Sequence, residues 1–185
     1  MKTILVTGSA GFIGFHLVQQ LLKNNFKVIG VDNLNNYYKS KHKKLRIDDL
    51  STFIKNNGYE DNFSFYKINI ANKKKVLHLF DSNPIDIVIN LAAQAGVRYS
   101  IEDPFAYVDS NLVGFVNILE GCRKSKVKHH IFASSSSVYG MNKKQPFSTK
   151  DDTDYPISLY AATKKSNELL AHSYSLLFDI PTAGL

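Results

Sequence analysis

Glycine recurs at every third position in Gly8-Ser9-Ala10-Gly11-Phe12-Ile13-Gly14. Residues without a Cβ allow a tight turn, let backbone N–H groups approach a pyrophosphate and let a helix pack close on a strand. A helix beginning there sets its partial positive charge on the phosphates. Spaced glycines also mark ordinary strand-to-helix turns, so the pattern counts only with a strand before it and a helix after it. Asp32 follows 18 residues after Gly14. A carboxylate there can accept both hydroxyls of an adenosine ribose and repels a 2′-phosphate. Its neighbour is Asn33 rather than Arg, which favours NAD over NADP. Read alone, Asp32 is a surface acid at a strand end.

Tyr160 and Lys164 are four apart, so on a helix they project from one face. Free tyrosine, with a pKa of about 10, is a poor base at neutral pH. A nearby ammonium favours the phenolate, as does a bound nicotinamidium. Tyr160 can then accept the proton of a hydroxyl that loses hydride, and Lys164 can bond the nicotinamide ribose. The bare spacing fits a half-buried tyrosine beside a solvated lysine equally well. The serine run Ser134 to Ser137 follows an apolar segment. At the carboxyl end of a strand, where doubly wound sheets bind ligands, such a hydroxyl can bond a reacting oxygen; as a pattern alone it is a loop.

These residues need elements to hold them. Residues 3–7 read as a buried strand and 12–23 as an amphipathic helix. Strands follow at 26–31, 63–68, 85–91 and 129–134, with helices at 38–55, 73–80, 104–124 and 158–178. Pro104 falls in the first turn of its helix. Residues 141–155 are polar and irregular, a loop near the site, and 181–185 start a sixth strand. The alternation predicts an α/β fold, a doubly wound parallel sheet of Rossmann type. The 185 residues fit one domain. The apolar ending predicts a last strand cut in mid-course, so residues 1–185 read as an NAD-binding domain that stops short of a complete fold.

Hydrophobic residues are 44% and charged residues 21% of the chain, a globular composition. No apolar run approaches the roughly 18 residues of a membrane span, and none resembles a signal peptide. With one cysteine, Cys122, no internal disulfide forms and the expected compartment is the cytoplasm. On the long helix, Cys122 reads as a small core residue. The net charge of +7 admits a nucleic-acid binder, but the lysines are scattered (Lys39–Lys44 among them) without a nucleic-acid motif. A basic solvated surface, or a field suited to an anionic small ligand, is the expectation. No Cys/His cluster suggests a metal.

Taken together, these residues resemble the extended short-chain dehydrogenase/reductase superfamily of nucleotide-sugar epimerases and dehydratases. The T-G-x-x-G-F-I-G loop, Asp32, Asn90-Leu91-Ala92-Ala93, Asn111-x-x-Gly114, Ser-Ser-x-x-Val-Tyr-Gly and Tyr160-x-x-x-Lys164 occur in the family's order. Within it, residues 32–38 and 92–98 resemble bacterial UDP-glucuronate 4-epimerases, including capsule-polysaccharide members. The resemblance implies NAD as cofactor, with Gly8, Gly11, Phe12, Ile13 and Gly14 on the pyrophosphate and Asp32, Asn33 and Asn36 on the adenosine ribose. It puts Leu91, Ala92 and Ala93 at the strand-end contact and Asn111 near the cofactor. Ser135, Tyr160 and Lys164 match the catalytic group. The family's Asp-Ile/Val that faces adenine is Asn69-Ile70 here, and Asn can still accept from the adenine amino group.

The implied reaction is epimerisation at C4 of a UDP-sugar, UDP-glucuronate to UDP-galacturonate, through a transient 4-keto sugar. Ser135 binds the reacting oxygen. Arg98 is a ligand of diphosphate or carboxylate, or else a surface loop residue. A 4,6-dehydratase would place Asp-Glu after the catalytic Ser/Thr, where this chain has Ser136 and Ser137. A related dehydrogenase or reductase stays open. From another class, a shortened NAD-binding remnant without turnover competes with the enzyme. By analogy the two long helices could form a four-helix homodimer seam. Tyr37 and Tyr38 contact cofactor or cap a loop. No nucleic-acid or membrane partner is expected.

Overall fold

The protein is represented by a computed structural model that describes residues 1–37 and 40–185. Its sheet is built from β1 (Thr3–Thr7), β2 (Lys27–Asp32), β3 (Phe63–Lys67), β4 (Ile87–Asn90), β5 (His129–Phe132) and β6 (Thr182–Gly184). All pairings are parallel and the strand order is β3-β2-β1-β4-β5-β6. Strands are added outward in one direction from β1 to β3 and in the other from β4 to β6, so the winding order reverses between β1 and β4, which is where a doubly wound fold opens its ligand crevice.

Strand alternation divides the core. Ile4 and Val6 point one way, onto Val18 and Leu22 of α1 (Phe12–Lys23) and Leu50 and Ile54 of α2 (Ser40–Asn57). Leu5 points the other way, with Ile29 and Val31, onto Val76, Leu79 and Phe80 of α3 (Lys73–Asp81) and onto Ile118 and Cys122. Both faces are therefore covered, and β1 is buried along its whole length. Burial raises the Cys122 thiol above its ordinary pKa, so it stays an inert small core residue, as expected from its helix.

Ends of elements shift by one or two residues, and Tyr38, expected to open the second helix, lies outside the described residues. The expected continuous helix over 104–124 needs a larger correction. After a separate short turn, α4 (Tyr99–Glu102), the span is divided into α5 (Pro104–Tyr107), a wide π turn at Val108–Val113, and α6 (Gly114–Lys124). Pro104 sits at the start of α5, where Asp103 accepts from the Ala106 N–H at 3.2 Å. The wide turn disrupts the regular ladder, and the Asn167 side chain bonds the Asn111 carbonyl at 2.6 Å. The last helix, α7 (Leu159–Phe178), starts at the cap Ser158, which accepts from the Ala161 N–H at 3.1 Å.

His130 on β5 is fully buried between Phe115 and Phe132, and neither ring nitrogen has a partner among the described residues. Burial, reinforced by neighbouring His129, lowers its pKa from 6.5 to about 4. Between those values the unfolded chain binds the proton and the folded chain does not. Stability from this group is complete above pH 6.5 and falls as pH drops toward 4. The loss approaches about 3 kcal/mol as an upper bound. His130→Leu should flatten that part of the profile, measured as denaturation midpoints from pH 7 to pH 4; equal slopes in both proteins would contradict the account.

Candidate active site

At the switch point, Thr7 ties β1 to β4. Its hydroxyl donates to Asn90 Oδ1 at 2.5 Å and accepts from the Ala92 N–H at 3.1 Å, while its carbonyl accepts from Leu91 N–H at 3.3 Å. Gly8 follows with a φ of +70°, and a Cβ there would lie 2.9 Å from Ala92 N. A Cβ on Gly14 would land on the Gly8 carbonyl oxygen. The chain can turn this sharply only without side chains at these points. Gly11 then caps α1 without any side-chain bond, leaving the first-turn N–H groups at the helix end for a ligand.

These elements wall a cleft of about 490 Å³. Gly8, Gly11, Phe12, Ile13 and Gly14 line it, as do Asp32, Asn33, Ile70, Leu91, Ala92 and Ala93. Phe12 and Ile13 fit a helical apolar pattern, yet they are 68% and 65% exposed and form the cleft rim rather than the core. Asp32 is buried; its carboxylate accepts from the Ala10 N–H at 3.3 Å, the Leu34 N–H at 2.8 Å and Lys43 Nζ at 3.2 Å. Asn33 caps its own turn through Asn35 N–H at 3.0 Å.

Among the described residues, the wall forms without Asn36, Asn69, Asn111, Arg98, Ser135, Tyr160 or Lys164. Asn36 and Asn69 are exposed beside it, and Asn69 Oδ1 accepts from the Ala71 N–H at 3.0 Å. Arg98 is exposed before α4. Asn111 is buried behind the wall. Its amide accepts from Gln94 N–H at 2.8 Å and donates to Gln94 O at 3.0 Å and to Thr163 Oγ1 at 3.1 Å. It therefore braces the strand-end segment against α7 instead of opening onto the cleft.

Ser135 and Lys164 lie beside the carboxyl end of β5, with Tyr160 one turn before Lys164 on α7. Ser135 Oγ accepts from Ser137 N–H at 3.1 Å, capping a single 3₁₀ turn, Ser136–Tyr139. Tyr160 meets Tyr107 edge to face, with ring centroids 6.2 Å apart. Lys164 is buried and its ammonium donates to the carbonyl of Ala133, a cleft residue, at 2.8 Å. That bond joins the Tyr/Lys pair to the cleft. Of the two tyrosines left open in the sequence, Tyr37 lines the cleft and packs against Tyr99 at 4.8 Å, and Tyr38 lies outside the described residues.

Sequence reasoning missed the α2 contribution. His42, Lys43 and Arg46 all line the cleft, although the lysine run reads as solvated surface. Arg46 follows Lys43 by three residues and His42 by four, spacings that bring side chains together on a helix and the one signal that could have found them. Gln94 was missed too; it is buried in the wall and its Nε2 has no partner among the described residues. No group of three metal-binding side chains and no helix fit to cross a membrane occurs among the described residues.

With this geometry in place, comparison identifies relatives. The model of the NAD dependent epimerase/dehydratase family matches residues 4–185. Protein CapI of Staphylococcus aureus is 52% identical over 182 residues, 98% of this chain and 52% of that protein. UDP-glucuronate 4-epimerase 2 of Arabidopsis thaliana is 44% identical over 187 residues, 99% of this chain and 41% of that protein. The structure of UDP-glucuronic acid 4-epimerase from Bacillus cereus, in complex with UDP-glucuronic acid and NAD, superposes with a TM-score of 0.83 at 36% identity. It is covered over 55% of its length by 98% of this chain. The chain thus spans about half the length of the curated relatives it matches.

Burial lowers the Lys164 pKa from 10.5 to about 8. Unfolded lysine keeps its proton to higher pH, so below pH 8 the fold carries the whole cost of burying the charge. Stability should rise between pH 8 and 10.5 as the folded side sheds its proton first. Nitrogen-detected NMR should place the Lys164 titration near pH 8, and Lys164→Met should abolish the rise. Titration above pH 10 would overturn this.

Proposed function

Because the chain belongs to the NAD dependent epimerase/dehydratase family, we propose that residues 1–185 are the NAD-binding domain of a nucleotide-sugar 4-epimerase interconverting UDP-glucuronate and UDP-galacturonate. The observation that carries the reading is the Lys164–Ala133 bond, which attaches a Tyr/Lys/Ser group to a cleft of dinucleotide-binding design. The glycine turn fits a pyrophosphate, since any Cβ at Gly8 or Gly14 would fill the space that the backbone uses. Asp32, with Asn33 and Asn36, takes the adenosine ribose. Asn69 and Ile70 take the adenine, and Leu91, Ala92 and Ala93 face the nicotinamide half. Asn111 holds that segment in place from behind. The choice of sugar is supported by similarity to UDP-glucuronate 4-epimerases.

NAD, when bound, supplies a reversible hydride acceptor for the sugar's C4. The chain's own residues handle the proton. Tyr160 takes it from the 4-hydroxyl and returns it after the 4-keto sugar has turned over, so no net oxidation results. Ser135 donates a hydrogen bond to the same oxygen. Lys164 is charged at pH 7, since its pKa of about 8 lies above that pH, and it sits one helical turn from Tyr160. Arg98 assists with the substrate's negative charge. A cytoplasmic site and a homodimer through α6 and α7 belong to the same proposal. Leu169, Leu176 and Leu177, exposed by 58%, 77% and 69%, supply apolar surface on α7.

Calorimetry with NAD⁺ tests the cofactor reading. Saturable binding is expected, with loss in Asp32→Ala; no binding by the parent chain would end the proposal. Turnover of UDP-glucuronate tests the chemistry, and Tyr160→Phe should lower kcat by about 10²–10⁴. NAD⁺ binding without turnover of any UDP-sugar would favour the non-catalytic alternative.

A further inference from the structure

We propose that Lys43 and Arg46 form a latent site for a ribose 2′-phosphate, kept shut by the Asp32 carboxylate. The inference rests on the cofactor reading above and concerns its adenosine end. Lys43 lies one helical turn from Arg46 on α2, and both line the cleft with Asp32 and Asn33. The Lys43 side chain is only 11% exposed, and its ammonium is held between Asp32 Oδ1 at 3.2 Å and Asn35 Oδ1 at 2.9 Å. Arg46 gives one N–H to the Ala10 carbonyl at 3.2 Å. A guanidinium has five donors in a planar fork that matches a phosphate, so Arg46 keeps capacity after that bond.

A dinucleotide crevice chooses between ribose 2′-hydroxyl and 2′-phosphate by charge: an acid accepts from the hydroxyl, and a nearby cation accommodates the phosphate. This chain carries both parts. The acid is Asp32, and Lys43 reaches it from the following helix rather than from the next residue, Asn33, with Arg46 one turn further on. The ion pair consumes Lys43, and the carboxylate repels a phosphate. Asp32 therefore rejects the phosphorylated ribose in two ways, by its own charge and by occupying the group that would bind it. Removing the carboxylate frees Lys43 in a partly desolvated site, where its attraction for an anion is stronger than in water.

The probe is adenosine 2′,5′-bisphosphate, compared with adenosine 5′-monophosphate, measured by calorimetry on the chain at low and high salt. The parent chain should bind the bisphosphate no better than the monophosphate. Asp32→Ser should tighten the bisphosphate at least tenfold relative to the parent. Lys43→Met in that background should reverse the gain, and Arg46→Met should reduce it; the gain should also shrink as salt rises. Asp32→Asn keeps an acceptor for the Leu34 N–H and supplies the same comparison should the serine variant fail to fold, as judged by circular dichroism. A folded Asp32 variant without the gain would overturn the proposal, as would a gain that survives loss of Lys43. Absence of NAD⁺ binding by the parent chain would end the cofactor reading with it. NAD⁺ binding without the bisphosphate gain would end this inference alone.

Discussion

Everything functional in this molecule hangs on the contact between Gly8 and Ala92 at the ends of β1 and β4. The two strands lie side by side because Thr7, wholly buried, uses its hydroxyl twice and its carbonyl once to hold Asn90, Ala92 and Leu91. A buried hydroxyl left unpaired would cost about 1–3 kcal/mol, and both of the Thr7 bonds cross between strands. The glycine turn then lies flat against the β4 end, α1 starts with unspent N–H groups, and the crevice has its floor. Each later feature leans on this seam. Asp32 fastens to the turn through Ala10 N–H, and Arg46 fastens α2 to the same residue's carbonyl.

The seam is braced from behind by a second polar set. Asn111 binds both backbone groups of Gln94 and the hydroxyl of Thr163, and Asn167 takes the Asn111 carbonyl. Both asparagines are buried, so each bond forms where water does not compete. Asn111 lies within the wide turn at Val108–Val113, and it is there that its carbonyl meets the Asn167 amide. Lys164 extends the brace to β5 by holding the Ala133 carbonyl.

The fold was largely legible in the sequence because its elements are short and strongly patterned. The β1 run is apolar, the glycines follow at once, and the strand-helix alternation admits few topologies. The six-stranded parallel order matches the expected doubly wound class. What escaped was local backbone irregularity and sidedness. Apolar periodicity from 104 to 124 gives no sign of a π turn, since the wide turn displaces the pattern by only one residue. Apolar spacing alone would put Phe12 and Ile13 in the core; only the resemblance placed them by the pyrophosphate, and they do line the cleft. Lys43 read as solvated because its partners are Asp32, eleven residues earlier, and Asn35 in the intervening loop. Asn111 was placed by resemblance near the cofactor, and its braced position behind the wall follows from contacts 17 and 52 residues away.

The seam also has a consequence for how the chain is made. β1 pairs with β2 through a short crossover, but its other neighbour, β4, starts 80 residues after β1 ends, and the Thr7–Asn90 bond spans 83 positions. During synthesis from the N-terminus, β1 and the glycine turn emerge early and wait with one flank open. The glycine turn cannot settle until Ala92 has left the ribosome and docked. Closing so long a loop is slow compared with local helix formation. Nascent chains of this protein therefore carry an unpaired, strongly apolar strand edge from the emergence of β1 until β4 follows 80 residues later. That edge is the point at which a chaperone would be needed.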